Sequence, residues 1–166
     1  MASTQVVFIV TLFLYLLITR WRRKNEKSFI ASEEPKQPEW RDYTPAELKE
    51  YNGSKNSLVF LAIKGTVYNV TMGSKFYGPQ GPYSAFAGHD ASRGLAKNSF
   101  DDEFIPDSDA EELDDCSDLN DEERQALNDW KAFFDQKYQA VGRLISPREA
   151  RAAATISETE EKVAHN

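Results

Sequence analysis

The chain has 166 residues, of which 40% are hydrophobic and 28% charged, a composition typical of a soluble globular domain with attachments. Its net charge of −7 is uneven, because residues 20–27 carry five basic side chains and one acidic one, leaving −11 for the remainder. Nucleic-acid binding needs a basic face that neutralises phosphates, so the acidic body excludes that class of partner. The single cysteine, Cys116, excludes an internal disulfide and a cysteine-based zinc site.

The first predicted element is a membrane anchor. Residues 1–19 contain no charged side chain, and the basic run that begins at Arg20 follows immediately. A spanning helix needs about 20 apolar residues, so residues 1–21 predict a short transmembrane helix, and residues 22–39 a basic and then polar linker. A cleavable signal peptide is the alternative, but its basic residues would precede the apolar run.

The basic flank also predicts the topology. Positively charged flanks remain on the cytosolic side of a membrane, so the domain that follows is expected in the cytosol. A short span suits the thinner bilayer of the endoplasmic reticulum. The sequence therefore predicts a single-pass protein of the endoplasmic reticulum membrane, with its C-terminal domain cytosolic.

Residues 40–145 predict one α+β domain. Its first helix begins after Thr44 with a capping box and ends at Gly53. The next run, "SLVFLAIKGTVYNV", contains two β-rich segments separated by Lys64-Gly65, which predicts a hairpin. A glycine-rich loop follows over residues 73–88.

A short helix, "ASRGLAK", comes next; Asp90 can cap it, and Gly94 weakens it. Residues 101–118 are densely acidic and predict an exposed loop. The longest predicted helix is "NDEERQALNDWKAFFDQKY", which Asn120 caps and which carries an apolar stripe at spacings of three and four.

The end of the chain divides into a strand and a tail. The segment "AVGRLI" predicts a short closing strand. Residues 146–166 lack a long apolar stripe, so they predict at most a stub of helix over residues 148–154 and are otherwise expected to be disordered.

Few side chains could bind a metal or act in catalysis. The histidines are His89 in the loop and His165 in the tail, and the loop lacks the lysine of a P-loop. Hydrolase and kinase functions therefore receive no support. The loop "KFYGPQGPYSAFAGHDASRG" does contain Tyr77 and Tyr83. Such tyrosines are often structural, but tyrosine can also serve as an axial ligand of haem iron.

The segment "FYGPQGPYSAFAGHDASRGLAKNSF" closely resembles the central motif of the membrane-associated progesterone receptor family, whose domain is similar to cytochrome b5. The resemblance continues through "YTPAELKEYNG", "VFLAIKGTVYNVT" and "LNDEERQALNDWKAFFDQKYQAVGRLI", in family order, over about residues 40–145. It implies an α+β, cytochrome b5-like haem/steroid-binding domain behind an N-terminal transmembrane helix.

The resemblance also implies a cofactor and the residues that bind it. Family members bind haem b through a tyrosine at the position of Tyr83, which implies five-coordinate iron with one haem face open. Tyr77, Lys137 and Tyr138 match positions expected to contact the haem propionates. His89 stands where the family often has arginine or lysine. It is either a polar substitution at the loop edge or a group that tunes the haem or provides a second ligand.

Family members associate with cytochrome P450 enzymes at the endoplasmic reticulum and support sterol synthesis, and some bind steroids. The resemblance thus implies a non-enzymatic, membrane-anchored haem-binding adaptor. One alternative is an electron carrier of the cytochrome b5 kind, which a phenolate ligand opposes because it lowers the reduction potential. Another is a steroid-binding receptor in which haem is incidental. The sequence does not decide whether the protein forms a homodimer through stacked haem faces. It also does not decide whether residues 101–118 contact a basic partner.

Overall fold

The computed structural model describes residues 39–55 and 57–164, with side chains described as far as Ser157. The predicted anchor over residues 1–21, and all but the last residue of the predicted linker, lie outside this part of the chain. Among the helices within it, none is both long and apolar enough to cross a membrane.

A four-stranded sheet forms the centre of the domain. Its strands are β1 (Arg41–Tyr43), β2 (Phe60–Ile63), β3 (Thr66–Asn69) and β4 (Gln139–Leu144), in the spatial order β1-β4-β3-β2. β2 and β3 form the predicted antiparallel hairpin, β4 pairs antiparallel with β3, and β1 runs parallel to β4. The predictions of the hairpin and of the closing strand are confirmed. β1 was not predicted, because three residues are too few to show an alternating pattern.

The described helices are α1 (Pro45–Leu48), α2 (Ser74–Tyr77), α3 (Ser92–Lys97), α4 (Asp121–Lys137) and α5 (Pro147–Ala164). Short 3-10 segments cover Lys49–Tyr51, Thr71–Gly73, Ser84–Phe86 and Asp102–Phe104.

Both predicted capping boxes are present. The side chain of Thr44 accepts from Glu47 N at the start of α1, and that of Asn120 accepts from Glu123 N at the start of α4. The first helix is shorter than predicted, since its α-helical part ends at Leu48 and a 3-10 turn completes the segment.

The tail differs most from the sequence prediction. Helix α5 extends over Pro147–Ala164, so the expectation of a short stub followed by disorder is corrected. Glu149 N donates to Ser146 Oγ at the start of this helix, and alanine, glutamate and arginine have high helix propensity. Arg148 and Arg151 also form ion pairs with Glu112 and Glu111 of the acidic loop.

Side chains of the sheet alternate between two hydrophobic clusters, one on each face. In β2, Leu61 and Ile63 belong to the first cluster, whereas Phe60 and Ala62 belong to the second. This alternation follows from the two-residue period of a strand. The first cluster also contains side chains of the glycine-rich loop and of α4, so this face of the sheet supports the candidate site.

Candidate functional site: an aromatic groove

The glycine-rich loop is folded back on itself by backbone hydrogen bonds. After α2, Gly81 N donates to Gly78 O over 2.8 Å, and Tyr83 N donates to Phe76 O over 2.9 Å. A Cβ at Gly81 would lie 2.1 Å from Phe76 O, so a side chain here is incompatible with this close approach. The loop therefore places the ring of Tyr83 beside those of Phe76 and Tyr77.

A groove of about 70 Å³ lies between this loop, α3, the segment after α3, and α4. Most of its lining is aromatic or aliphatic, and Asn98 and Ser99 supply polar groups. The lining residues are Tyr77, Tyr83, Phe86, Gly94, Leu95, Asn98, Ser99, Phe100 and Trp130.

Helix α3 forms one wall although Gly94 lies inside it. A Cβ at Gly94 would lie 2.6 Å from Cε1 of Phe86, so the missing side chain gives the buried Phe86 ring its position. Asp90 supports the helix start by accepting hydrogen bonds from the backbone and the hydroxyl of Ser92. Burial raises the pKa of the Asp90 carboxyl, and the bonds from Ser92 oppose that effect.

The two loop tyrosines have different environments although their ring centroids are 5.9 Å apart. Tyr77 is 7% exposed, whereas Tyr83 is 38% exposed. Burial, together with the neighbouring Tyr138 and its hydrogen bond, raises the pKa of Tyr77 well above its ordinary value, so Tyr77 stays a neutral phenol. Tyr83 lies at the groove with accessible surface. A phenolate ligand for a metal is therefore better provided by Tyr83 than by Tyr77.

Tyr138 and Lys137 lie beyond Tyr77. The Tyr138 ring meets Tyr77 edge to face at 6.1 Å. Lys137 is exposed, and its Nζ is 5.7 Å from the centroid of the Tyr138 ring. The fold thus brings the three predicted tyrosines into one cluster and places Lys137 at its edge. Neither Tyr138 nor Lys137 lines the groove itself.

His89 faces a different part of the surface. Its imidazole makes a hydrogen bond with the backbone of Pro106, and burial lowers its pKa. It lines a wide, polar depression together with residues that include Asn52, Ser84 and Asp102, and it does not line the groove. This position does not support His89 as a second iron ligand.

Some carboxylates of the acidic segment, residues 101–118, form ion pairs within the domain. Arg93 of α3 donates to Asp114 and Asp118, with Nη2 at 2.7 Å from an oxygen of each carboxylate. These bonds lower the pKa of both carboxyls, that of Asp118 to about 2. Lys97 also pairs with Glu123 over 2.9 Å, which ties α3 to α4. The segment therefore fastens the groove wall, a role that its composition did not reveal.

Phe100 and Trp130 are among the groove residues that sequence reasoning missed. Trp130 belongs to the apolar stripe of α4, and Phe100 is the last residue of the segment that carries the family resemblance. The apolar stripe of a helix indicates which face packs against the domain. It does not distinguish a ring packed in the core from a ring that lines an open groove.

The donor set and the walls fit a haem. Tyr83 offers a phenolic oxygen, and the aromatic lining suits a flat macrocycle. The hydroxyls of Tyr77 and Tyr138 and the ammonium of Lys137 could bind the carboxylates at its edge. Within residues 39–55 and 57–164, no cluster of three or more histidine, cysteine, aspartate or glutamate side chains could hold a bare metal ion.

Comparisons with known proteins show the family of the domain. Residues 44–145 match the family described as "Cytochrome b5-like Heme/Steroid binding domain". The human "Membrane-associated progesterone receptor component 2" is 39% identical over 163 residues, covering 94% of this chain and 71% of that protein. "Membrane steroid-binding protein 1" of Arabidopsis thaliana is 37% identical over 95% of this chain and 76% of its own length.

A solved structure supports the fold. An Arabidopsis thaliana protein described as having a cytochrome b5-like fold matches with a TM-score of 0.55 and 38% identity. The match covers 70% of this chain and 99% of that protein. The predicted cytochrome b5-like α+β fold is therefore confirmed. The chain belongs to the cytochrome b5-like heme/steroid-binding domain family, in its membrane-associated progesterone receptor branch.

Proposed function

We propose that this chain is a membrane-anchored, non-enzymatic haem-binding adaptor that associates with cytochrome P450 enzymes and supports sterol synthesis. The N-terminal residues anchor it in the endoplasmic reticulum membrane by a single pass, and the domain faces the cytosol. Confinement to one membrane raises the effective concentration of its partners, so a weak docking surface is sufficient.

The observation that carries the haem proposal is the contrast between the two loop tyrosines. Tyr77 is buried beside Tyr138 and its pKa is raised, whereas Tyr83 keeps accessible surface at an apolar groove. In the proposed complex Tyr83 binds ferric iron of haem b as a phenolate. Tyr77, Lys137 and Tyr138 bind the propionates, and the apolar walls exclude water from the ligand oxygen.

When bound, the haem supplies a ferric iron whose affinity for a hard anionic oxygen stabilises the oxidised state. This property favours an adaptor over an electron carrier of the cytochrome b5 kind. A reduction potential close to that of cytochrome b5, with ready reduction by its reductase, would contradict the adaptor assignment.

The test is the absorbance spectrum of the full chain in detergent with ferric haem. We expect a high-spin tyrosinate spectrum in the wild type that is lost in Tyr83→Phe. Tyr77→Phe is the matched control, because it removes a hydroxyl from the same cluster and should keep the spectrum while weakening haem binding. A tyrosinate spectrum that persists in Tyr83→Phe would refute the proposed ligand.

Steroid binding is the second candidate. The apolar lining of the groove favours it, and relatives carry names such as "Membrane steroid-binding protein 1". A fluorescent steroid that binds Tyr83→Phe and wild type equally well, in protein free of haem, would favour a steroid receptor in which haem is incidental.

A further inference from the structure

The ring of Phe100 covers the face of Tyr83 at the groove. The two rings are stacked, with centroids 5.3 Å apart and an interplanar angle of 21°. Phe100 also contacts the ring of Phe86, at 5.2 Å and 40°. Despite these contacts Phe100 is 46% exposed, so its side chain rests on other rings and is not enclosed by the core.

Phe100 lies on a connection whose hydrogen bonds are made by its neighbours. Helix α3 ends at Lys97; the next residue, Asn98, has a left-handed conformation, and Ser99 N donates to Gly94 O. Asp101 N donates to Ser99 Oγ, and Ser99 Oγ donates to the Asp101 carboxylate. Among the described residues, no backbone–backbone hydrogen bond outside the helices and strands involves Phe100. The backbone at Phe100 can therefore shift with the ring without breaking such a bond.

Phe86 and Trp130 are less exposed than Phe100, at 2% and 36% against 46%. Phe86 is buried and fills the space above Gly94. Trp130 belongs to the long helix α4 and packs edge to face on Phe133 and Phe134. Phe100 is thus the wall most easily displaced.

The small volume of the groove favours displacement of Phe100 by a large ligand. Its volume is about 70 Å³, whereas pockets that hold drug-sized molecules have about 300–1,000 Å³. A flat polycyclic ligand can replace the Phe100 ring on the face of Tyr83, since stacking suits planar rings.

We propose that Phe100 is an aromatic lid that controls the access of flat polycyclic ligands to Tyr83. The lid rests on Tyr83 and Phe86 and must turn away before such a ligand reaches the phenolic oxygen. This inference rests on the proposed function, because it assigns the gate of the same site. With such a lid, the rate of ligand entry depends on the fraction of molecules in which the Phe100 ring is displaced.

Phe76 offers a matched control. Its ring also stacks with Tyr83, at 6.4 Å and 23°, and it is 50% exposed, but it does not line the groove. Phe76→Ala and Phe100→Ala therefore each remove one partly exposed ring from Tyr83, and only Phe100→Ala opens the groove.

The experiment measures association rates by stopped-flow absorbance for the full chain in detergent. The probes are ferric haem and protoporphyrin IX, a metal-free ring whose entry needs no iron ligand. If molecules with the Phe100 ring displaced are a minor population, their fraction limits the association rate. Phe100→Ala should therefore accelerate the association of both probes about tenfold or more. Phe76→Ala should change them less than about twofold, and Phe100→Leu should give an intermediate rate.

The outcomes separate the lid from the iron site. Equal rates for wild type and Phe100→Ala, or equal acceleration by both alanine variants, would overturn the lid. Even if the lid is overturned, loss of the tyrosinate spectrum in Tyr83→Phe would still support Tyr83 as the iron ligand. If that spectrum instead persists in Tyr83→Phe, the protoporphyrin rates still decide whether Phe100 controls entry.

Discussion

Two groups of aromatic rings lie on this domain, and they differ in how they are covered. In the closed group, Tyr51 stacks on Phe60 at 4.3 Å and Tyr43 meets both edge to face. Tyr43 and Phe60 are fully buried in the second hydrophobic cluster. In the group around Tyr83, Phe76 and Phe100 each stack on the Tyr83 ring, and all three rings remain partly exposed. The same residue types therefore stabilise the fold in one place and leave an apolar surface for a ligand in the other.

The largest expected effect tests this difference in burial directly. Phe60→Ala should lower the free energy of unfolding by about 3–5 kcal/mol, because it removes a buried ring and leaves a cavity. Phe100→Ala should cost less than about 1 kcal/mol, since its ring is already partly in water. Urea unfolding of the full chain, followed by circular dichroism, measures both. Similar losses for the two variants would contradict the comparison.

An intermediate effect is expected at the glycine beneath the groove. Gly94→Ala should gain about 1 kcal/mol of helix propensity but lose about 1–3 kcal/mol, since its Cβ would clash with Phe86. We expect a net loss of stability in urea unfolding. A double-mutant cycle with Phe86→Leu should show that the smaller side chain reduces the loss. Stabilisation by Gly94→Ala alone would show that the groove wall is loosely packed.

The smallest effect concerns the pH dependence of the groove wall. Arg93 lowers the pKa of Asp114 and Asp118, so the stability that these carboxylates contribute is fully present above about pH 4. It is lost as the pH falls through the lowered pKa values, because the unfolded state binds protons that the ion-paired carboxylates of the folded state resist. We expect acidification to lower the protection factors for hydrogen exchange in α3 more than those in β2.

Arg93→Met is the matched variant for this measurement. It removes the cation and should shrink the difference in acid response between α3 and β2. Its urea midpoint at neutral pH should fall by less than that of Gly94→Ala, because part of the ion pair is solvent-exposed. Unchanged acid sensitivity of α3 in Arg93→Met would assign that sensitivity to other groups.

The elements that the sequence predicted correctly carry their signals within a few residues. The hairpin at Lys64-Gly65 and the capping box at Asn120 each depend on neighbours in the chain. Helix α5 was underestimated, because its ion pairs with Glu111 and Glu112 involve a loop far away in sequence. The predicted site residues gathered around one cluster, but their roles toward haem, and the P450 partner, stay predictions.

The sequence by itself determined the α+β order of elements and the family motif that draws attention to Tyr77 and Tyr83. Only the tertiary structure decided that Tyr77 is buried against Tyr138 while Tyr83 faces a groove. It also decided that Phe100 covers Tyr83. The physical reason is that capping and turn formation depend on local backbone geometry, whereas exposure and ring stacking depend on which distant segments the fold brings together.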